Sequence, residues 1–248
     1  MGSIILGIIQ GLTEFLPISS SGHLVLAGAI FKISSQSLFY DVCLHMGTLL
    51  AVLIYFRYEI IELFTKRLKW LGLLLIGSIP AGVVGVILRN RIEFIFNAPL
   101  FSAGFLLVTS VILFSTRFAK EKDRDMEIRD AILIGIAQAI AIFPGISRSG
   151  ITIATALFLG VAWRQAFEFS FLLSVPAILG AMVLEIKELT TVNLSIGSGV
   201  LGVISSFLFG LLALWILKGF LRKGRFSVFG FYCLIVGVGS LLYLTLSR

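Results

Sequence analysis

Apolar residues along this chain come in long runs, not in the alternation of a strand or the stripe of a soluble amphipathic helix. Uncharged stretches cover residues 70–88, 94–116, 189–217 and 226–247. Each can form a helix across a hydrocarbon core, which takes ~20 residues. Two further runs, 42–56 and 169–184, become spans when extended by a few residues, at the cost of admitting Asp41 or Glu168. The pattern therefore predicts six crossings.

Two apolar segments, 7–32 and 132–161, do not fit a single crossing. Each is interrupted in its middle by Pro, Gly and Ser. Proline removes a backbone donor and breaks a helix. Each arm is then ~10 residues, or ~15 Å, which reaches mid-membrane. Such segments read as re-entrant hairpins, tolerated where broken backbone lines a cavity.

The hairpins match each other at a fixed offset of 128. Gly7, Ile8, Gln10, Phe15, Ile18, Ser19, Ser21 and Gly22 recur as Gly135, Ile136, Gln138, Phe143, Ile146, Ser147, Ser149 and Gly150. Pro17 and Pro144 slip by one. Each hairpin precedes three spans, so the second copy must enter from the opposite face. The expected fold is all-α: one polytopic membrane domain over 1–248. It holds six transmembrane helices and two re-entrant hairpins in an inverted-topology repeat, 1–117 and 131–248. Paired broken helices of this kind point to a site at the midplane.

Composition narrows the class. Hydrophobic residues make up 58% of the 248 and charged residues 13%, against ~25% charged in soluble domains. Soluble globular, disordered and disulfide-rich secreted readings are excluded. The two cysteines lie far apart in apolar runs and read as small hydrophobes. No signal peptide or myristoylation pattern is present. The net charge of +7 would suggest nucleic acid in a soluble protein; here it belongs to loops, and no nucleic acid is expected. The face of the first hairpin carries Lys32, Arg89, Arg91, Lys187 and Arg248. The other carries Arg57, Lys66, Arg67, Lys69, Arg117, Lys120, Lys122, Arg124, Arg129, Arg164, Lys218, Arg222, Lys223 and Arg225. The richer face is cytoplasmic by the positive-inside rule. The first hairpin then opens outward, on the non-cytoplasmic side of the membrane.

The hairpins also carry the chemistry. Gln10 and Glu14 are four apart and share a helix face. Ser19, Ser20 and Ser21 open the returning helix, whose N-terminus suits phosphate. His23 follows within the first turn, so a hydroxyl, a ring and a carboxylate are gathered in one segment. In the second hairpin Arg148 takes the place of Ser20, between Ser147 and Ser149, with Thr152 beyond. A charge at this depth costs ~2.5–3.5 kcal/mol on insertion scales. A phosphate would offset it, and the guanidinium fork matches phosphate oxygens.

These segments resemble the signature motifs of the undecaprenyl-pyrophosphate phosphatase family associated with bacitracin resistance. Gln10 and Glu14 match a Glu/Gln-x-x-x-Glu motif, Pro17 to His23 match Pro-x-Ser-Ser-x-Gly-His, and Pro144 to Ser149 match Pro-Gly-x-Ser-Arg-Ser. The likeness covers the whole chain. It implies hydrolysis of undecaprenyl pyrophosphate to the monophosphate carrier reused in peptidoglycan synthesis. It implies Glu14, Ser20, His23 and Arg148 as catalytic residues, with Ser147 and Thr152 as helpers. It also implies a divalent cation, Mg2+ or Ca2+, for which Glu14 is the candidate ligand. Gln10, Ser19, Ser21, Ser147, Ser149 and Thr152 are the expected substrate-binding set, although the serines also suit helix caps and close packing. The partners are then a polyprenyl pyrophosphate lipid and the bilayer; a homodimer is left open.

Several residues read as structural. Asp41 and His45, four apart, form a local pair or line the site, with structure favoured. Glu168 reads as structural, the 22 Phe as lipid-facing bulk, and the basic stretch 117–129 as a solvated face. The rival function is a transporter or flippase for a polyprenyl phosphate lipid, since inverted repeats are common among carriers. Against it stands the asymmetry of the halves, because Ser20 and His23 have Arg148 and Ile151 as counterparts.

Overall fold

The computed structural model describes residues 2–31, 38–96, 98–122, 124–186 and 196–246. Among the described residues the chain is all-helical. Its helices are α1 (Gly2–Phe15), α2 (Ser20–Phe31), α3 (Leu38–Tyr55), α4 (Arg57–Thr65), α5 (Leu68–Phe96) and α6 (Pro99–Ser115). They continue as α7 (Ile128–Ile140), α8 (Arg148–Phe158), α9 (Trp163–Ile186), α10 (Ile196–Arg222) and α11 (Val228–Leu246). Five stretches are long and apolar enough to cross a membrane: Leu68–Leu88, Pro99–Phe118, Trp163–Val183, Gly197–Arg222 and Val228–Leu246. Each corresponds to an expected span. The sixth expected span falls on α3, whose apolar part is the shorter Tyr40–Tyr55.

The boundaries differ from the uncharged runs in instructive ways. α5 continues past Leu88 to Phe96, because helix geometry does not stop at a charge. Residues 94–96 therefore belong to α5, and Pro99 opens α6. A proline at the first helical position gives up a donor that has no helical acceptor there. α4 was not foreseen. It buries Leu63 and leaves Tyr58, Ile61 and Phe64 exposed, the pattern of a short helix lying along a surface. Lys32, Lys187 and Arg248, part of the charge count, lie outside the described residues.

Both broken segments are helix–break–helix. α1 and α2 are separated at residues 16–19, and α7 and α8 at 141–147. Proline alone does not explain the breaks, since Pro80 and Pro176 sit inside the continuous α5 and α9. The breaks add a serine cap, and each has one residue with positive φ: Ser19 at 67° and Gly145 at 102°. The slip between Pro17 and Pro144 follows from this. The second tip has a glycine for the left-handed turn; the first is one residue shorter after its proline, and Ser19 takes that conformation itself. For a non-glycine residue this is uncommon and costly.

The opening helix of each hairpin packs on a long helix of the other half. α1 lies on α10, and α7 on α5; α10 also packs on α3, and α5 on α9. Small residues allow this approach. A Cβ on Gly11 would lie 2.6 Å from the Ser206 carbonyl, and one on Gly135 would lie 2.3 Å from that of Gly77. Small-on-small contacts drive helix association where lipid removes the hydrophobic drive. Phe15, Phe56, Phe167 and Phe171 interlock behind the hairpins, with Phe15–Phe171 centroids at 5.5 Å and Phe167–Phe171 at 4.9 Å. All four are buried, as are Phe169 and Phe226. The expectation that Phe is lipid-facing bulk fails for these six. Their rings fill the space between helices that broken segments cannot fill with backbone.

The loop end of the second half is pinned by charge. Arg67 pairs with Glu168 and lies 4.1 Å over the Trp70 ring, which bears out a structural Glu168. Arg124 donates to both Asp130 oxygens, at 2.7 and 2.8 Å, and to the Leu159 carbonyl at 2.8 Å. Its reading as part of a solvated basic face is corrected. Asp130 in turn accepts from the Glu127 amide and caps α7. Arg124 thereby ties the start of one hairpin arm to the end of the other.

Candidate active site

The two hairpin tips touch. Ser19 Oγ accepts from the Gly22 amide at 3.3 Å, capping α2, and from the Gly145 amide at 3.1 Å, reaching the other tip. Ser147 Oγ accepts from the Gly150 amide at 3.1 Å and caps α8. Ser149 Oγ donates to the Leu16 carbonyl at 3.3 Å. A Cβ on Gly22 would lie 2.8 Å from Gly145 Cα, so the motif glycine is needed for tip contact. Thr109 holds the second tip from behind, donating to the Gly145 carbonyl and accepting from the Ser147 amide. Two helix N-termini are thus brought together, each offering unpaired amides and a positive dipole end.

Capping is done by Ser19 and Ser147. Ser20 and Arg148 stand next along, at the first position of α2 and of α8. Their side chains are free to meet a third group, and that group is Glu14. Ser20 Oγ donates to Glu14 Oε2 at 2.7 Å, Arg148 Nη2 donates to Glu14 Oε1 at 2.5 Å, and Gln10 Nε2 reaches Oε2 at 3.2 Å. One carboxylate collects a hydroxyl, a guanidinium and an amide from three helices. The second guanidinium nitrogen, Arg148 Nη1, is buried with no hydrogen-bond partner. A buried unpaired donor in a charged fork calls for an explanation, and an anion supplies one.

The remaining expected residues are placed differently. His23 is not joined to Ser20. Its Nδ1 meets the Ser19 carbonyl at 2.8 Å and its Nε2 meets the Tyr232 hydroxyl at 2.9 Å. A carbonyl only accepts, so Nδ1 carries the proton and Nε2 accepts from Tyr232. Ser21 contacts Ser19, Oγ to Oγ, at 3.5 Å. Thr152 donates to the Arg148 carbonyl at 2.7 Å and lies 2.6 Å from Ser170 Oγ, behind the site. His45 does reach the cluster: its Nδ1 is 3.4 Å from Gln10 Nε2. Sequence reasoning favoured structure for His45 and gave no role to Tyr232, Ser170 or Thr109. For His45 the signal was a polar pair four residues apart in an otherwise apolar helix. For the others no local signal existed.

A family model described as bacitracin resistance protein BacA matches residues 3–239. The chain belongs to this family. An undecaprenyl-diphosphatase of Methanosphaera stadtmanae is 39% identical over 270 residues, covering 98% of this chain and 97% of the relative. One of Korarchaeum cryptofilum is 40% identical over 256 residues, covering 96% and 97%. One of Thermotoga petrophila is 41% identical over 242 residues, covering 96% and 98%. Like its family, the chain is a multi-pass membrane protein with several helices apolar enough to span.

The donor set limits what metal this BacA-family site could take. Among the described residues no three His, Cys, Asp or Glu side chains gather to hold an ion. Glu14 is the single carboxylate of the cluster, and both its oxygens already accept hydrogen bonds. This does not make a protein cage. It fits a hard cation of the Mg2+ type, which keeps waters and binds through one carboxylate plus substrate phosphates.

Proposed function

We propose that this chain is an undecaprenyl-diphosphatase: it hydrolyses undecaprenyl pyrophosphate to undecaprenyl phosphate and inorganic phosphate, returning the carrier to peptidoglycan synthesis. The observation that carries this reading is the Ser20–Glu14–Arg148 cluster at two apposed helix N-termini. The full-length similarity to proteins named for that activity supports it. The carrier reading is not favoured.

The chemistry follows from the geometry. The pyrophosphate enters where the tips meet, with its prenyl chain left among apolar helix faces. Arg148 and the α2 and α8 amides hold the terminal phosphate as charge builds. Ser20 Oγ attacks its phosphorus, its proton passes to Glu14 Oε2, and the bond to the bridging oxygen breaks. Glu14 passes that proton to the departing undecaprenyl phosphate, and the restored carboxylate takes a proton from water, whose oxygen attacks the phosphoserine phosphorus; the bond to Ser20 Oγ breaks, Glu14 returns the proton to Ser20, and inorganic phosphate leaves. The contacts of His23, to the Ser19 carbonyl and the Tyr232 hydroxyl, leave Glu14 better placed as the base, with His23 and Tyr232 beside it at the tips. Gln10, Ser19, Ser21, Ser147, Ser149 and Thr152 shape and support the phosphate cradle. Glu14 would be the protein's ligand to a divalent cation, and such a cation would supply neutralisation of pyrophosphate charge.

The fold reading extends the same way. The chain is one domain of two inverted repeats, 1–117 and 131–248, with six crossings and two re-entrant hairpins in the bilayer. The reciprocal packing of α1 on α10 and α7 on α5 supports this. The first hairpin opens to the outer face of the plasma membrane, because the loops of the other face hold most of the basic residues. A homodimer is compatible with this site and not needed for it, since every residue of the cluster comes from one chain.

Phosphate release from undecaprenyl pyrophosphate by the purified protein tests the reading, with Ser20→Ala and a chelator as separate arms. Turnover should fall by orders of magnitude in Ser20→Ala, as for loss of a nucleophile. A folded Ser20→Ala protein with near-normal kcat eliminates the phosphoserine route. Full activity in chelator eliminates the cation.

A further inference from the structure

The Gln10 amide stands between two acceptors. Its Nε2 lies 3.2 Å from Glu14 Oε2 and 3.4 Å from His45 Nδ1, and the side chain is buried at 1% exposure. Glu14 fixes which way this amide points. Its carboxylate pairs with Arg148 and takes the Ser20 proton in a hydrogen bond, so it is acceptor-only,. Gln10 must therefore present its NH2 and not its oxygen. An amide nitrogen has two hydrogens and no acceptor capacity. With one hydrogen directed at Glu14, the other is directed at His45, so His45 Nδ1 must accept and its proton sits on Nε2. A donor at position 45 would favour the opposite amide orientation and set an oxygen against the Glu14 carboxylate.

The backbone that carries the ring is packed. His45 sits on α3, whose neighbours are α1, α9 and α10. Its carbonyl accepts from Thr48 Oγ1 at 3.0 Å, and the next turn of α3 closes on α10, where a Cβ on Gly47 would lie 2.4 Å from the Val203 carbonyl. The backbone that carries the ring therefore lies close against α10.

We propose that His45 is a positioning residue: its Nδ1 lone pair orients the Gln10 amide, and the oriented amide holds the Glu14 carboxylate toward the Ser20 hydroxyl. This rests on the reading of Ser20 and Glu14 as the reacting pair. The chain of donors runs from Ser20 to Glu14, and from Gln10 to both Glu14 and His45. The groups assigned to the phosphate lie on the hairpins, while the residue that sets their hydrogen-bond direction lies outside them, on α3. Gln10 stands where a Glu is the other residue of the family motif, and a carboxylate there would ask for a donor at position 45; the accepting ring is matched to glutamine.

Phosphate release from undecaprenyl pyrophosphate by the purified full chain in detergent separates this role from a structural one. His45→Leu keeps bulk and removes the acceptor. It should lower kcat by ~10-fold, the scale of losing an outer hydrogen-bonding partner of a reactive group, with KM within about twofold. His45→Gln offers a carbonyl oxygen as acceptor and should recover most of the loss. In a Gln10→Leu background, His45→Leu should have no further effect, because the amide it acts through is gone. The proposal is overturned if His45→Leu and His45→Gln lose activity equally, or if the His45→Leu loss persists in the Gln10→Leu background. Wild-type kcat in His45→Leu also overturns it. Glu14→Gln, assayed in parallel, distinguishes the two levels. An inactive Glu14→Gln with an unaffected His45→Leu sinks this inference alone; an active Glu14→Gln sinks the Ser20–Glu14 reading and this inference with it.

Discussion

Arg148 does two things at once, and Arg148→Lys separates them. One guanidinium nitrogen, Nη2, pairs with Glu14 at 2.5 Å, while the other, Nη1, is buried without a partner. A lysine keeps the positive charge and an apolar stem of similar reach, so it can still neutralise Glu14. It cannot also supply a second nitrogen in the fixed fork geometry. Removing the residue altogether would leave a carboxylate at 8% side-chain exposure without its counter-ion, a loss of ~3–5 kcal/mol that would confound any kinetic reading. Arg148→Lys avoids that loss and removes one donor to the phosphate. If Nη1 is that donor and its contact tightens as charge develops, the cost is ~2.7 kcal/mol, or about 100-fold in kcat/KM. The assay is steady-state phosphate release by protein shown to be folded and monodisperse. The fall should sit in kcat and resist saturating substrate. Activity of Arg148→Lys within about threefold of wild type would refute the clamp and leave Arg148 as the counter-ion of Glu14 only.

The other expectations concern capping, topology and acid stability. Ser19→Ala should cost ~1 kcal/mol from the lost α2 cap and loosen the tip contact through Gly145; an unchanged Tm would refute the linkage. In a Cys-free background, a cysteine at Thr65, exposed at the end of α4, should resist an impermeant thiol reagent added to intact cells, whereas one at Ser35 should react. The reverse labelling overturns the outward-facing hairpin. Asp130 is held below its ordinary pKa of 3.8, first by the Arg124 hydrogen bonds. Its contribution is therefore full above 3.8 and is lost as pH falls through the lowered value. Asp130→Asn should lower stability by ~1–3 kcal/mol at neutral pH, and its deficit against wild type should shrink below about pH 4. A deficit constant with pH would refute the charge pairing.

Much of this molecule is written locally in its chain. Runs of ~20 apolar residues specify spanning helices whatever their neighbours, because in lipid the backbone must satisfy itself within each segment. The broken segments were equally legible, since serine caps and positive-φ turns are local devices. So were Ser20, Glu14 and Arg148 as chemical candidates, because an ionisable group in an apolar segment is conspicuous. What the sequence could not decide is which groups meet. His23 is nearer to Ser20 along the chain than Arg148 is, yet Ser20 turns to Glu14 and His23 turns to Tyr232. That choice depends on rotamers set where α2 passes α11, 209 residues away in sequence. His45 looked like half of a pair with Asp41; the approach of α3 to α1, permitted by small residues on α10, puts it against Gln10. The Phe residues divide the same way: hydropathy marks them all as apolar, and only helix packing decides which six are buried and which four of those interlock behind the tips. Periodicity and capping act over one or two turns and can be read residue by residue. A site assembled from hairpin tips 128 positions apart is a property of how the helices cross, and it exists only once they have.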